Sequence, residues 1–134
     1  MRDFKHYANI LDAKAATGPS KTIFCSDFRN AVIAVTAAAN TTLTIKFAGA
    51  IGETAPDFSA AQSATNRYDF VEVIDLQDGS AIDGDTGVLI DNTTVAVNNR
   101  MFEVNTNALD YVCVIVTAYT DGNVSASITL TDNA

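Results

Sequence analysis

The chain has 134 residues, enough for one domain and too few for two ordinary ones. Sixteen Asp and Glu stand against eight Lys and Arg, a formal net charge of −8, and the cations are scattered from Arg2 to Arg100 without forming a basic patch. This excludes the usual means of binding nucleic acid or an anionic membrane surface, both of which rest on clustered positive charge. Trp is absent, while the Ala, Val, Thr, Asn, Ser and Asp content suits strands and turns better than helices.

In chain order, residues 1–20 read as an N-terminal arm that docks on a sheet or on a neighbour. Phe4, Tyr7, Ala8 and Leu11 also fit one face of a short helix. Thr17-Gly18-Pro19-Ser20 breaks that segment. Strands are expected at Lys21–Ser26, at Ala31–Ala37 (apolar on both faces, hence central) and at Thr42–Phe47, where Leu43, Ile45 and Phe47 alternate with Thr42, Thr44 and Lys46. Residues 49–67 read as one long loop, either a surface excursion or a functional segment. Within it Phe58 is a loop anchor or a plug for a neighbouring molecule. Tyr68–Leu76 is apolar on both faces and reads as a buried or bulged strand. Val88–Ile90, Thr94–Val97 and Met101–Thr106 are shorter strands between Asp-Gly and Asn-Asn turns. The whole predicts a single antiparallel β-sandwich over residues 1–134, of jelly-roll or immunoglobulin-like type.

The stretch Tyr111–Thr131 carries the strongest local signal. Asp121-Gly122 between two β-rich runs predicts a two-residue hairpin. Counting outward sets Ile115 opposite Ile128 on an apolar face, and Val112, Val114 and Val116 opposite Thr131, Thr129 and Ser127 on a face without charge. Val112, Val114, Val116, Ser125, Ser127 and Thr129, with Phe58, are therefore the expected interface residues. A partner covers that face, or the N-terminal arm does. Val114→Lys is expected to spare the core and disrupt the partner's contact.

Signals for chemistry are sparse. Asp75, Asp78, Asp83 and Asp85 could crowd oxygen ligands for Ca²⁺, but the spacing fails the EF-hand template and Asp-Gly units serve turns. His6 is the only histidine and lies in the arm, so no catalytic triad is in prospect. Cys25 and Cys113 read as buried free thiols, with a single bridge between sheets as the other option. No cofactor, metal or catalytic residue is expected. The N-terminus shows no signal peptide, and the run Tyr111–Tyr119 is too short to span a bilayer, which takes about 20 residues.

LDAKAATG at 11–18, TLTIKFAGAIG at 42–52, PDFSAAQSATNRYDFVEVIDLQDGSAIDGDTG at 56–87 and the closing EVNTNALDYVCVIVTAYTDGNVSASITLTDNA together cover most of the chain. In these runs it resembles the small β-sandwich proteins encoded among the virion genes of tailed bacteriophages. The resemblance implies a non-enzymatic capsid decoration (cement) protein, made in the host cytoplasm and carried in the virion. It further implies the major capsid protein or neighbouring virion proteins as partners, and a homo-oligomer with a trimer among the options. Neither nucleic acid nor membrane is implied as a partner. A neck or tail component is the alternative. A carbohydrate-binding or adhesion module is the third reading, and it needs an exposed aromatic platform, against which the lack of Trp counts.

Overall fold

The computed structural model describes residues 5–93 and 97–132. Among these are twelve strands: β1 (Lys5–Lys14), β2 (Gly18–Pro19), β3 (Ile23–Phe24), β4 (Asn30–Ala38), β5 (Thr41–Ala50), β6 (Asp69–Phe70), β7 (Val73–Asp75), β8 (Ala81–Ile82), β9 (Val88–Asn92), β10 (Val97–Asn105), β11 (Tyr111–Asp121) and β12 (Val124–Thr131). One sheet has the order β1-β12-β4-β10-β7-β8. The other has the order β2-β11-β5-β6, with β3 also on β11 and β9 also on β5. All pairings are antiparallel.

Four consecutive strand pairs (β1 and β2, β4 and β5, β9 and β10, β11 and β12) each begin in one sheet and end in the other. They set β1-β12-β4-β10 facing β2-β11-β5-β9. This is the jelly-roll arrangement of a double-sheet sandwich, and it decides between the two types the sequence left open. All four crossings lie at one end. There Lys14 pairs with Val124 and Val124 with Ala37, while Thr41 pairs with Asn92 and Thr42 with Asp121.

The alternation of small-period strands fills the space between the sheets. Leu43, Ile45 and Phe47 of β5 point inward as their pattern predicts, and meet Ile33 and Val35 of β4, Phe102 and Val104 of β10, and Ile128 and Leu130 of β12. Phe47 and Phe102, from opposite sheets, sit with ring centroids 5.3 Å apart in a tilted pair, a favoured geometry for aromatic quadrupoles. Strand β4 is central, between β12 and β10, as its two apolar faces require.

Three expectations are corrected. The chain does bend with positive φ at Gly122, but Asp121 stays in β11 without positive φ, so the expected two-residue hairpin is not formed and β11 and β12 do not pair: β11 runs along β5 and β12 along β4 and β1. Tyr68–Leu76 is not one strand. It splits into β6 in the second sheet and β7 in the first, so both apolar faces of that run are used by crossing the sandwich. The N-terminal segment is extended and docks on a sheet, as expected, but from Lys5 it does so as an edge strand beside β12, and neither the short helix nor an arm laid over a sheet face is found. Of the expected strand Thr94–Val97, residues 94–96 lie outside the described residues.

Candidate functional site

The expected interface residues do not share a face. Val112, Val114 and Val116 point into the core at 0%, 0% and 1% exposure. A hairpin within one sheet would put even-numbered residues of β11 beside odd-numbered residues of β12. Crossing between sheets instead lets the even-numbered residues of both strands face inward, so the three valines lie across the sandwich from Ala126, Ile128 and Leu130. Phe58 is buried by its own chain. Ser125, Ser127 and Thr129 do lie at the surface, half-buried, on the outer face of the first sheet.

The register of that sheet defines what surrounds them. One row across the face runs Tyr7, Thr129, Val32, Glu103 and Ile74; the next runs Asn9, Ser127, Ala34 and Met101; a third runs Ser125, Thr36 and Asn99. Above these lie Lys5, Thr131, Asn30 and Asn105. Lys5 and Glu103 are the only charged side chains in these four rows, and the Asn30 side-chain amide donates to Glu103 Oε2 at 3.2 Å. Thr36 Oγ1 donates to Asn99 Oδ1 at 2.7 Å, and Ser125 Oγ accepts the Ala13 N–H at 2.9 Å. Tyr7 and Met101 stand out of the face with 62% and 53% of their surface open. The uncharged face expected on β11 is not formed; a sparsely charged one belongs to β1, β12, β4 and β10, and Asp12 and Lys21 line a cleft beside Asn9, Thr36, Ser125 and Ser127. Its centre is formed by Val32, Ala34 and Thr36 of β4, which a sequence reading assigns to a strand buried on both sides.

The outer face of the second sheet is covered by residues 51–68. Ala48, Ala50, Cys113 and Ile115 offer a floor of small and apolar side chains, and Phe58 seats on it, flanked by Tyr68, Phe70 and Tyr111. Asn66 closes the loop: its side-chain oxygen accepts the Asp57 N–H at 2.8 Å, and its amide donates to the Asp57 and Ala61 carbonyls at 2.8 and 3.1 Å. The Tyr68 hydroxyl donates to the Ala60 carbonyl and the Tyr111 hydroxyl to the Glu53 carbonyl. The loop is thus an ordered Ω-type excursion packed on its own side chains. Phe58 is its anchor, buried within its own chain.

The acidic cluster is dispersed into structural duties. Asp75 is buried and paired with Arg100 at 2.6 Å, which in turn lies over the Phe102 ring. Asp78 accepts the Ser80 N–H, which holds its carboxyl below the usual range, and Asp83 accepts from Thr86. Among the described residues no group of three His, Cys, Asp or Glu could hold a metal ion. Cys25 and Cys113 are free and buried, Cys25 in the main core and Cys113 beneath the loop. His6 stacks on Phe28, with centroids 6.4 Å apart.

No protein-family model matches the chain, and no curated protein matches its sequence. Solved structures share its fold. The SPBc2 prophage-derived protein YomS superposes with a TM-score of 0.72 at 12% identity, over 98% of this chain and 96% of that one. The PBSX exported protein XepA superposes with a TM-score of 0.71 at 9% identity, over 98% of this chain but 39% of XepA, so the chain spans well under half of that protein's length. At such identities the likeness is one of fold: the same jelly-roll sandwich occurs in two phage-derived proteins.

Proposed function

We propose that the protein is a non-enzymatic structural component of a tailed-phage virion, and within the virion a capsid decoration protein. The observation that carries this reading is the sparsely charged outer face of the first sheet on a chain of net charge −8. Solvent-facing sheet surfaces normally carry charges that keep them wet and solitary. Here most positions are Ser, Thr, Ala, Asn and Val, which lose little side-chain entropy on docking, and the charges, Lys5 and Glu103 in the rows and Asp12 and Lys21 beside Ser125, are few. A second protein surface, from the major capsid protein or from another copy of this chain, is the occupant such a face suits. The shared fold of two phage-derived proteins supports the phage setting.

The test is imaging of virions lacking the gene, with the purified protein added back. Decoration predicts surface density that is lost on deletion, restored by the parent protein and not restored by Ser127→Lys, with copies at every lattice position. Density confined to a neck or tail ring would assign the protein there instead. Unchanged particles would sink the virion reading.

A further inference from the structure

A cleft of about 480 Å³ opens on the outer face of the second sheet, where the chain crosses from β1 to β2 beside the long loop. Its apolar wall is Ile115 with the rings of Phe58, Tyr68 and Phe70. The rings form a fixed cluster: Phe58 and Tyr68 have centroids 5.1 Å apart, Tyr68 and Phe70 5.9 Å, and the Tyr68 hydroxyl is tied to the Ala60 carbonyl at 2.8 Å. The hydroxyl-bearing Thr17, Ser59 and Thr117 line the same space.

Two ammonium groups attend the cleft. Lys14, at the end of β1, also lines it. Its Nζ passes so close to Gly18 that a Cβ there would stand 3.1 Å away, and Gly18 holds φ +135°, a conformation that favours glycine. Lys46 Nζ lies 4.9 Å from the centroid of the Phe70 ring. Neither lysine is paired with a carboxylate among the described residues. The nearby Asp57 carboxylate is occupied by the N–H and hydroxyl of Ser59. On a strongly acidic chain, one lysine thus lines this aromatic cleft and a second lies against the Phe70 ring of its wall.

We propose that this cleft binds a sugar ring bearing a carboxylate, as found in an acidic polysaccharide. A pyranose presents a C–H face that packs on aromatic rings and hydroxyls that pair with Ser and Thr. An acidic sugar adds the anion that Lys14 and Lys46 lack. The cleft volume lies within the range of small-ligand sites, about 300–1,000 Å³. A nucleic-acid strand would also stack on the rings, but it needs a track of cations along its phosphates. This site is separate from the sparsely charged face of the first sheet, and its success or failure leaves the virion reading untouched.

The test is titration of ¹⁵N-labelled protein with trigalacturonate, with neutral trigalactose and with a short oligothymidylate, at matched ionic strength. Trigalacturonate is expected to shift amides of residues 57–70 and 115–117, and to bind about tenfold more tightly than the neutral trimer, the size of one charge-assisted contact. Replacing both lysines, Lys14→Gln with Lys46→Gln, should erase that preference. Phe70→Leu, which keeps an apolar side chain on the sheet, should weaken both sugars. The variants' own spectra report folding, and the surface lysine pair decides the matter should Phe70→Leu unfold. Absence of shifts at millimolar trigalacturonate overturns the proposal. So do shifts confined to another surface, equal binding of the neutral trimer, or oligothymidylate binding as tightly as the acidic sugar.

Discussion

Thr41 and Gly122 lock two of the inter-sheet crossings together. Thr41 Oγ1 lies 3.1 Å from both the N–H and the carbonyl oxygen of Asn123, and a Cβ on Gly122 would overlap the Thr41 side chain and Cα. Gly122 also holds φ +84°. Gly122→Ala therefore combines left-handed strain with overpacking and is expected to cost about 3 kcal/mol. Gly79 has a similar φ of +76° but open space around its Cα, so Gly79→Ala should cost only about 1 kcal/mol. Urea unfolding of the two variants checks the difference; equal losses would remove the steric part of the explanation.

Phe58 holds the long loop to the second sheet at 4% exposure. Phe58→Ala is expected to cost about 3 kcal/mol. The loss should fall locally, because Phe58 packs on Ala48, Ala50, Cys113 and Ile115 and not in the main core. Limited proteolysis should then cut within residues 51–68 while the sandwich stays folded. Protection equal to the parent's would show that Asn66 and the loop's hydrogen bonds suffice.

The two faces of the sandwich separate assembly from stability. Val114 is fully buried, so Val114→Lys puts an unpaired charge in the core and should unfold the domain, contrary to the expectation from the sequence. Ser127→Lys, on the outer face of the first sheet, should change stability by no more than about 0.5 kcal/mol while weakening self-association or capsid binding. Thermal melts and co-sedimentation with capsids read both. A Ser127→Lys protein that melts and sediments like the parent would remove this face from consideration.

Both thiols should resist modification in the native state. Burial, with a smaller contribution from the charge of Asp110, pushes Cys25 up to about 12, and burial likewise raises Cys113. Thiol reagents at pH 8 should react only on unfolding. The folded protein keeps these protons where the unfolded chain releases them near pH 8.5. The contribution is therefore whole below that pH and is lost as pH rises toward 12. Cys25→Ala should flatten the alkaline fall in stability; an unchanged slope would mean that other groups set it.

Several of these features were legible before folding and several were not. The alternation of Leu43, Ile45 and Phe47 sufficed to orient β5, and the two apolar faces of residues 31–37 placed β4 at a sheet centre. Asp121-Gly122 announced a turn, because positive φ at Gly122 is a local property. Whether the strands leaving a turn pair or part is not local. It depends on what β5 and β4 offer as partners, and that choice shifted the parity of every residue in β11. The sparsely charged face was readable only along β12, since Val32, Ala34, Thr36 and Met101 join it through cross-strand register. The meeting of Lys14 with Phe58 and Tyr68 leaves no trace at any spacing, being made by a chain crossing and a folded loop.

The first sheet has the order β1-β12-β4, so the final strand sits between the first and the fourth. Synthesis runs from the N-terminus, and until residues 124–131 exist β1 has no neighbour and β4 lacks one edge. The first sheet is therefore completed only once β12 has been made, and in the second sheet β5 and β11 also lie far apart in sequence. Such distant pairings place the domain among slow folders, on the millisecond-to-second scale. Throughout that interval β1 and β4 present unpaired edges to other nascent copies, which makes crowded, high-copy expression the condition under which misassembly competes with folding.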